Sequence, residues 1–139
     1  MSAIDSGIEY ELSETFPVSR DRLFNALIDP SVLRSIWGVQ EITVDPRVGG
    51  RAEAVFIAGA QDWSFTLTYL EVVAPEKLRW LAHFKSFPSK ETRVTALFVD
   101  EDGGARLTIH MGNFETTEER DANRQAWQRG LQRLAEMLD

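Results

Sequence analysis

His83 and His110 are the side chains of this sequence best suited to move a proton or hold a metal near neutral pH. Each stands in a stretch where polar and apolar residues alternate. The alternation places His83 opposite Trp80 and Phe84, and His110 opposite Ile109 and Met111, so both imidazoles belong to the solvent side of strands. A metal site would need a third ligand at suitable spacing, and with 0 cysteines in the chain no thiolate can supply one. Nucleophilic signatures are missing as well. No Gly-x-Ser-x-Gly elbow occurs, and the Gly49-Gly50 and Gly103-Gly104 pairs lack the lysine and the strand-to-helix setting of a phosphate loop. Carboxylates are plentiful but lie on polar faces or in turns. Glu14 is the exception, falling on the apolar side of its strand, where the simple reading is a rim position and the sharper one a polar group aimed into a cavity. Neither a cofactor nor a metal is expected.

What remains is aromatic. Trp37, Phe56, Phe65, Trp80, Phe84, Phe98 and Trp127, together with Met111, take inward positions, while Ala52, Ala54, Ala96 and Gly130 are small enough to leave room beside them. Large side chains at such places usually fill a core, each contributing roughly 1.5–3 kcal/mol. A space left partly open among them would be the usual form of a small-molecule site.

The elements that must position these residues can be read in order. Residues Met1 to Gly7 are small and polar, and fraying is expected there. Ile8, Tyr10, Leu12 and Phe16 alternate with polar residues as a first strand, closed by Pro17. Ser19 caps a short helix through Asp29, and Asp29-Pro30 starts a second that ends at Trp37-Gly38. From Gln40 to Asn113 the period is two. Strands are expected around Ile42–Val44, Ala52–Phe56, Trp63–Tyr69, Leu78–Phe84, Val94–Phe98 and Leu107–Met111, with turns at Asp45-Pro46, Ala74-Pro75-Glu76-Lys77, Phe87-Pro88-Ser89-Lys90 and Asp102-Gly103-Gly104. Short turns between successive strands imply an antiparallel meander, since parallel pairing needs long crossovers. From Thr117 to Asp139, Trp127, Leu131, Leu134 and Leu138 recur at helical spacing. Thr116 or Thr117 can cap that helix, Glu118, Glu119 and Asp121 suit its positive end, and it would run on the order of 33 Å.

The totals agree with one domain. The chain has 139 residues, 43% of them hydrophobic and 27% charged, with a formal net charge of −7. No basic patch offers phosphates a partner, so nucleic acid and anionic membrane surfaces are disfavoured. No apolar run approaches the roughly 20 residues that span a bilayer, and no signal pattern opens the chain, which is therefore read as cytoplasmic. There are no internal repeats and no linker, and the oligomeric state is not encoded in any pattern here.

The order of elements and a set of local motifs resemble the START-like (SRPBCC) superfamily, in particular its heat-shock-protein-90 ATPase activator homologue-like (AHSA-type) branch. The matching residues are Phe16, Leu23-Phe24 with Ala26, Asp29-Pro30, Leu33, Trp37-Gly38, and Asp45 through Gly50. They continue with Glu71-Val72, Pro75-Glu76-Lys77-Leu78, Val94-Thr95, Phe98, Arg106-Leu107-Thr108, Glu118-Glu119-Arg120-Asp121, Trp127, Leu131 and Leu134, so that the match runs from Leu12 to Leu138. The resemblance implies an α+β helix-grip fold: a curved seven-stranded antiparallel sheet around a long C-terminal helix, with two short helices between strands one and two. It also implies a cavity that takes apolar molecules in many relatives. Two departures stand out. Ile36-Trp37 occupies a place where the family often has paired tryptophans, and Ala52 a place where it often has a bulky residue. The eukaryotic activators carry a further N-terminal domain that makes much of the chaperone contact, and this chain corresponds to the second module alone.

The function expected is an apolar small-molecule binding module with its cavity between sheet and C-terminal helix, lined by Trp37, Phe56, Phe65, Trp80, Phe84, Phe98, Met111, Trp127, Gly130 and Leu131. The balance is against catalysis. An alternative is an enzyme of the cyclase, lyase or hydrolase sort, with Glu14 as the one inward carboxylate. The other alternative is a co-chaperone-like regulator of a heat-shock chaperone ATPase.

Overall fold

The computed structural model describes residues 7–55, 57–58, 61–62, 64–84 and 91–138. Phe56, expected as a site residue, therefore lies outside the described residues, as do Trp63, the expected turn at 87–90 and the expected fraying over residues 1–6.

The first strand, β1 (Glu9–Phe16), leads into α1 (Arg20–Ala26) and α2 (Pro30–Trp37). Then come β2 (Glu41–Val44), β3 (Arg51–Val55), the two-residue strands β4 (Ile57–Ala58) and β5 (Gln61–Asp62), β6 (Phe65–Val73), β7 (Lys77–Phe84), β8 (Glu91–Glu101) and β9 (Gly104–Gly112). The chain closes with α3 (Thr117–Leu138). Seven strands form one antiparallel sheet in the order β1-β9-β8-β7-β6-β3-β2, and β4 pairs with β5 apart from it. This is the expected helix-grip arrangement. Because β1 and β2 occupy opposite edges, α1 and α2 carry the chain across from one edge to the other.

The register sorts the residues onto two faces. Tyr10 lies opposite Met111, Met111 opposite Val94, and Val94 opposite Trp80. Trp80 continues the row to Tyr69 on β6. All five are buried. The neighbouring row of Glu11, His110 and Thr95 faces outward, as alternation requires. His110 meets Glu9 there at 3.4 Å. His83 also stands on the outer face, bordering a shallow depression with Glu53 and Thr66.

The helix boundaries follow from their caps. Ser19 accepts a hydrogen bond from the Arg22 N–H at 3.2 Å and starts α1. That helix is shorter than the expected run to Asp29. Ile28 and Asp29 donate back to Asn25 and Ala26, three residues behind them, which tightens the chain and frees Asp29 for another task. Asp29 Oδ1 accepts from the Ser31 N–H at 2.9 Å and from the Ser31 hydroxyl at 2.8 Å, with Pro30 opening α2 behind it. Those bonds, the Ser31 hydroxyl first, hold the Asp29 carboxyl below its usual range. Replacing this cap should cost about 1 kcal/mol at neutral pH in Asp29→Ala. The folded-state pKa is the lowered one, so the contribution is complete above the unfolded value and fades as pH falls through the folded one. Urea titrations of both proteins from neutral pH downward should show the gap narrowing; a gap independent of pH would assign the effect to something other than the charged cap. At the third helix Thr116, not Thr117, is the cap: its hydroxyl accepts from the Glu119 N–H at 3.1 Å.

Candidate functional site

The inner face of the sheet is covered unevenly. Helix α1 lies over β8 and β9, α2 packs on α3 and β2, and α3 also reaches β1. Between α3, the end of α2 and the middle of the sheet remains a cavity of about 490 Å³. Its walls are mostly apolar. The sheet contributes Phe65 and Leu67 of β6, Trp80, Ala82 and Phe84 of β7, Val94 of β8 and Met111 of β9; Ile36, Trp37, Gly38 and Val39 come from the end of α2. The third wall is α3, through Glu119, Ala122, Asn123, Ala126, Trp127, Arg129 and Arg133.

Four aromatic rings form one side as a connected chain. Trp127 meets Trp37 edge-on at 6.2 Å between centroids, Trp37 meets Phe65 edge-on at 5.4 Å, and Phe65 meets Phe84 at 5.5 Å. Such pairs prefer edge-to-face or offset geometry and contribute roughly 0.5–1.5 kcal/mol each beyond the area they bury. Ala122 and Ala126, both exposed, stand one turn apart beside Trp127 and leave the mouth low on the helix side.

Trp37, Phe65, Trp80, Phe84, Met111 and Trp127 are thus brought around one space. Three other expected wall residues are not, and each has a reason. Phe98 lies farther along the inner face of β8, beneath α1, with its ring edge-on to Phe24 at 5.1 Å. Leu131 is buried one turn beyond Trp127 in the core and does not border the cavity. Gly130 is not a vacancy at all: a Cβ there would come within 2.8 Å of the Ile36 carbonyl oxygen. It is the point where α2 and α3 touch. Arg133 strengthens that contact from α3, donating to the Ile36 carbonyl at 3.2 Å and the Ser35 carbonyl at 3.5 Å, groups that the end of α2 would otherwise leave without a helical partner. Gly38 closes α2 in the left-handed conformation at φ 66°. The small residues that leave room are therefore Ala82, Ala122 and Ala126, not Ala52, Ala54 or Ala96.

Glu14, the carboxylate singled out by parity, is half-buried opposite Leu107 and does not border the cavity. Glu119 does. Its position also carried a sequence signal, because Glu119, Asn123 and Trp127 recur every fourth residue and must share a face of α3. The polar feature that sequence could not show is Tyr10. Its hydroxyl lies 2.5 Å from Asn123 Oδ1 and 3.5 Å from Met111 Sδ, linking two cavity residues from behind the wall. Burial pushes the Tyr10 pKa strongly upward against a smaller opposing pull from Arg124, so the phenol stays protonated and acts as donor. Among the described residues no group of three histidine, aspartate or glutamate side chains could hold a metal, and no helix is long and apolar enough to cross a membrane.

A curved seven-stranded antiparallel sheet gripping a long C-terminal helix, with two short helices between its first two strands and a cavity beneath the long helix, defines the helix-grip class of START-like proteins. Within that class the profile of the family described as Activator of Hsp90 ATPase homolog 1-like protein matches residues 17–139, and the chain belongs to that family. Solved structures agree on the fold. A Chromobacterium violaceum protein superposes with a TM-score of 0.82 at 23% identity, over 94% of this chain and 96% of its own. A Nitrosomonas europaea protein gives 0.77 at 20% identity, over 99% of this chain and 97% of its own. An HSP90 activator from Plasmodium falciparum gives 0.64 at 23% identity, over 78% of this chain and 74% of its own. Among curated proteins none matches the sequence.

Proposed function

We propose that this protein is a small-molecule binding module that takes an apolar ligand in the cavity between sheet and α3. The observation that carries this reading is the cavity itself: about 490 Å³ left open among Trp37, Phe65, Trp80, Phe84, Met111 and Trp127, in the size range of small-molecule sites. Closing such a space would stabilise the fold, so a fold that keeps it open gains something else from it. The connected ring chain and the short alanines at the mouth give a shaped interior with an entrance.

Thermal shift across a panel of uncharged aromatic and aliphatic compounds tests the reading. A ligand at a hundred times its dissociation constant should stabilise the folded state by about 2.7 kcal/mol, a rise of several degrees for a domain of this size. If no compound raises the melting temperature, the module reading is wrong.

The family description and the HSP90 activator among the structural relatives favour one second reading, that of a regulator of a chaperone ATPase. The steady-state ATPase rate of the cognate chaperone, measured with and without this protein, decides it; an unchanged rate removes it. The enzyme reading now rests on Glu119 and Asn123 in place of Glu14. Turnover of a bound compound that vanishes in Glu119→Gln would support it.

A further inference from the structure

The cavity is apolar except on its α3 side, and one polar group there is held in a fixed orientation. Asn123 lines the cavity, and its carbonyl oxygen is engaged by the buried Tyr10 hydroxyl at 2.5 Å. Tyr10 belongs to the edge strand β1, 113 positions away in sequence, and its ring is stacked on Phe114 at 5.8 Å between centroids, so the phenol has little freedom to follow a moving partner. An amide is planar. Once its oxygen is fixed, its nitrogen is fixed as well, and both N–H donors point away from Tyr10. Among the described residues none accepts from that nitrogen. In the sheet register the fully buried Thr92 pairs with the cavity residue Ala82, and its hydroxyl, which does not itself border the cavity, has no hydrogen-bond partner among the described residues. An oriented donor in an otherwise apolar site is the feature that sets which ligand is chosen and how it lies.

We propose that the ligand is a compact apolar molecule carrying a hydrogen-bond acceptor, a carbonyl or ether oxygen, which the side-chain N–H of Asn123 receives, with Tyr10 as the positioning residue. This rests on the binding-module reading above and sharpens it. An acceptor placed there satisfies the half-buried amide; a plain hydrocarbon covers it without offering a partner, and that difference separates the two.

Three compounds of nearly one shape make the test: benzophenone, which only accepts; diphenylmethane, which does neither; and diphenylmethanol, which does both. Their affinities are read by displacement of an uncharged naphthylamine dye from the folded protein. Benzophenone should bind on the order of tenfold more tightly than diphenylmethane. In Asn123→Asp, which keeps an oxygen for Tyr10 and removes the donor, that ratio should fall to one or below, and the ratio rather than either affinity is the readout. Tyr10→Phe keeps the ring and frees the amide, and the ratio should shrink without an equal loss of diphenylmethane affinity. A merely structural role for Tyr10 would lower stability and both affinities together. Equal binding of ketone and hydrocarbon to the native protein overturns this proposal but leaves the binding module standing. A ratio that survives in Asn123→Asp also overturns it, as does a preference for diphenylmethanol over benzophenone that Asn123→Asp leaves intact. If neither the dye nor any of the three binds, both readings fall.

Discussion

Gly130→Leu should unfold the protein or leave it barely stable, although a glycine in the middle of a helix is usually a place to gain stability. Exchanging such a glycine for a helix-forming residue contributes about 1 kcal/mol when the space is open. Here it is closed. The first carbon of any side chain would meet the Ile36 carbonyl oxygen at 2.8 Å and the Ile36 Cβ at 3.7 Å. The oxygen belongs to backbone already held by Arg133, so neither partner can turn aside. Overpacking a tight core contact typically costs 1–3 kcal/mol, and a leucine at a helix-to-backbone contact should reach or pass the top of that range. Gly130→Ala should lose less, because the propensity gain offsets part of the clash. Urea titration checks both. The expected midpoints fall in the order native, alanine, leucine; a leucine variant as stable as the native protein would mean that α2 and α3 separate freely. Ligand binding should disappear with the leucine variant too, but only because Trp37, Gly38 and Val39 at the cavity mouth depend on where α2 ends.

This position also shows where reading the sequence reaches its limit. Local chemistry was legible. Asp29-Pro30 caps α2 as its residue types demand, Asp102-Gly103-Gly104 makes the turn between β8 and β9, and strict alternation put Tyr10, Trp80, Val94 and Met111 on one face. Alternation says which face a residue takes; it says nothing of what lies above that face. Phe98 and Val94 have the same parity on β8, yet Phe98 is covered by Phe24 of α1 while Val94 borders the cavity. Only the placement of the helices, a long-range matter, tells them apart. The same holds for Gly130, whose missing side chain can mean either room or contact. Glu119 was read for the helix dipole, a local effect, although its spacing from Asn123 and Trp127 already placed it on the inward side. The bond between Tyr10 and Asn123 joins the two ends of the chain, and no pattern within either segment announces it.

Ala82→Phe should weaken ligand binding by at least about a hundredfold, roughly 2.8 kcal/mol, while leaving the fold as stable as before or more so. Ala82 sits mid-strand on β7, between Leu67 of β6 and Thr92 of β8, buried to 2% exposure and facing the cavity. A phenyl ring at this place projects into empty volume, not into packed atoms. Burying it contributes roughly 1.5–3 kcal/mol where the space already exists, against the penalty of similar size that overpacking would bring in a filled core. The two cases give opposite signs, so the melting temperature reports directly on whether the cavity is real. Binding of benzophenone, followed by its thermal shift, reports on whether the cavity is the site. A stable variant that has lost the shift joins the two. A stable variant that keeps the full shift places the ligand elsewhere, and a strongly destabilised one means that the space between β7 and α3 closes in solution. Ala82 belongs to the sheet wall, a separate element from α2 and from the Asn123–Tyr10 pair, so the substitution alters none of those residues directly. That separation makes it the more direct measure of the cavity itself.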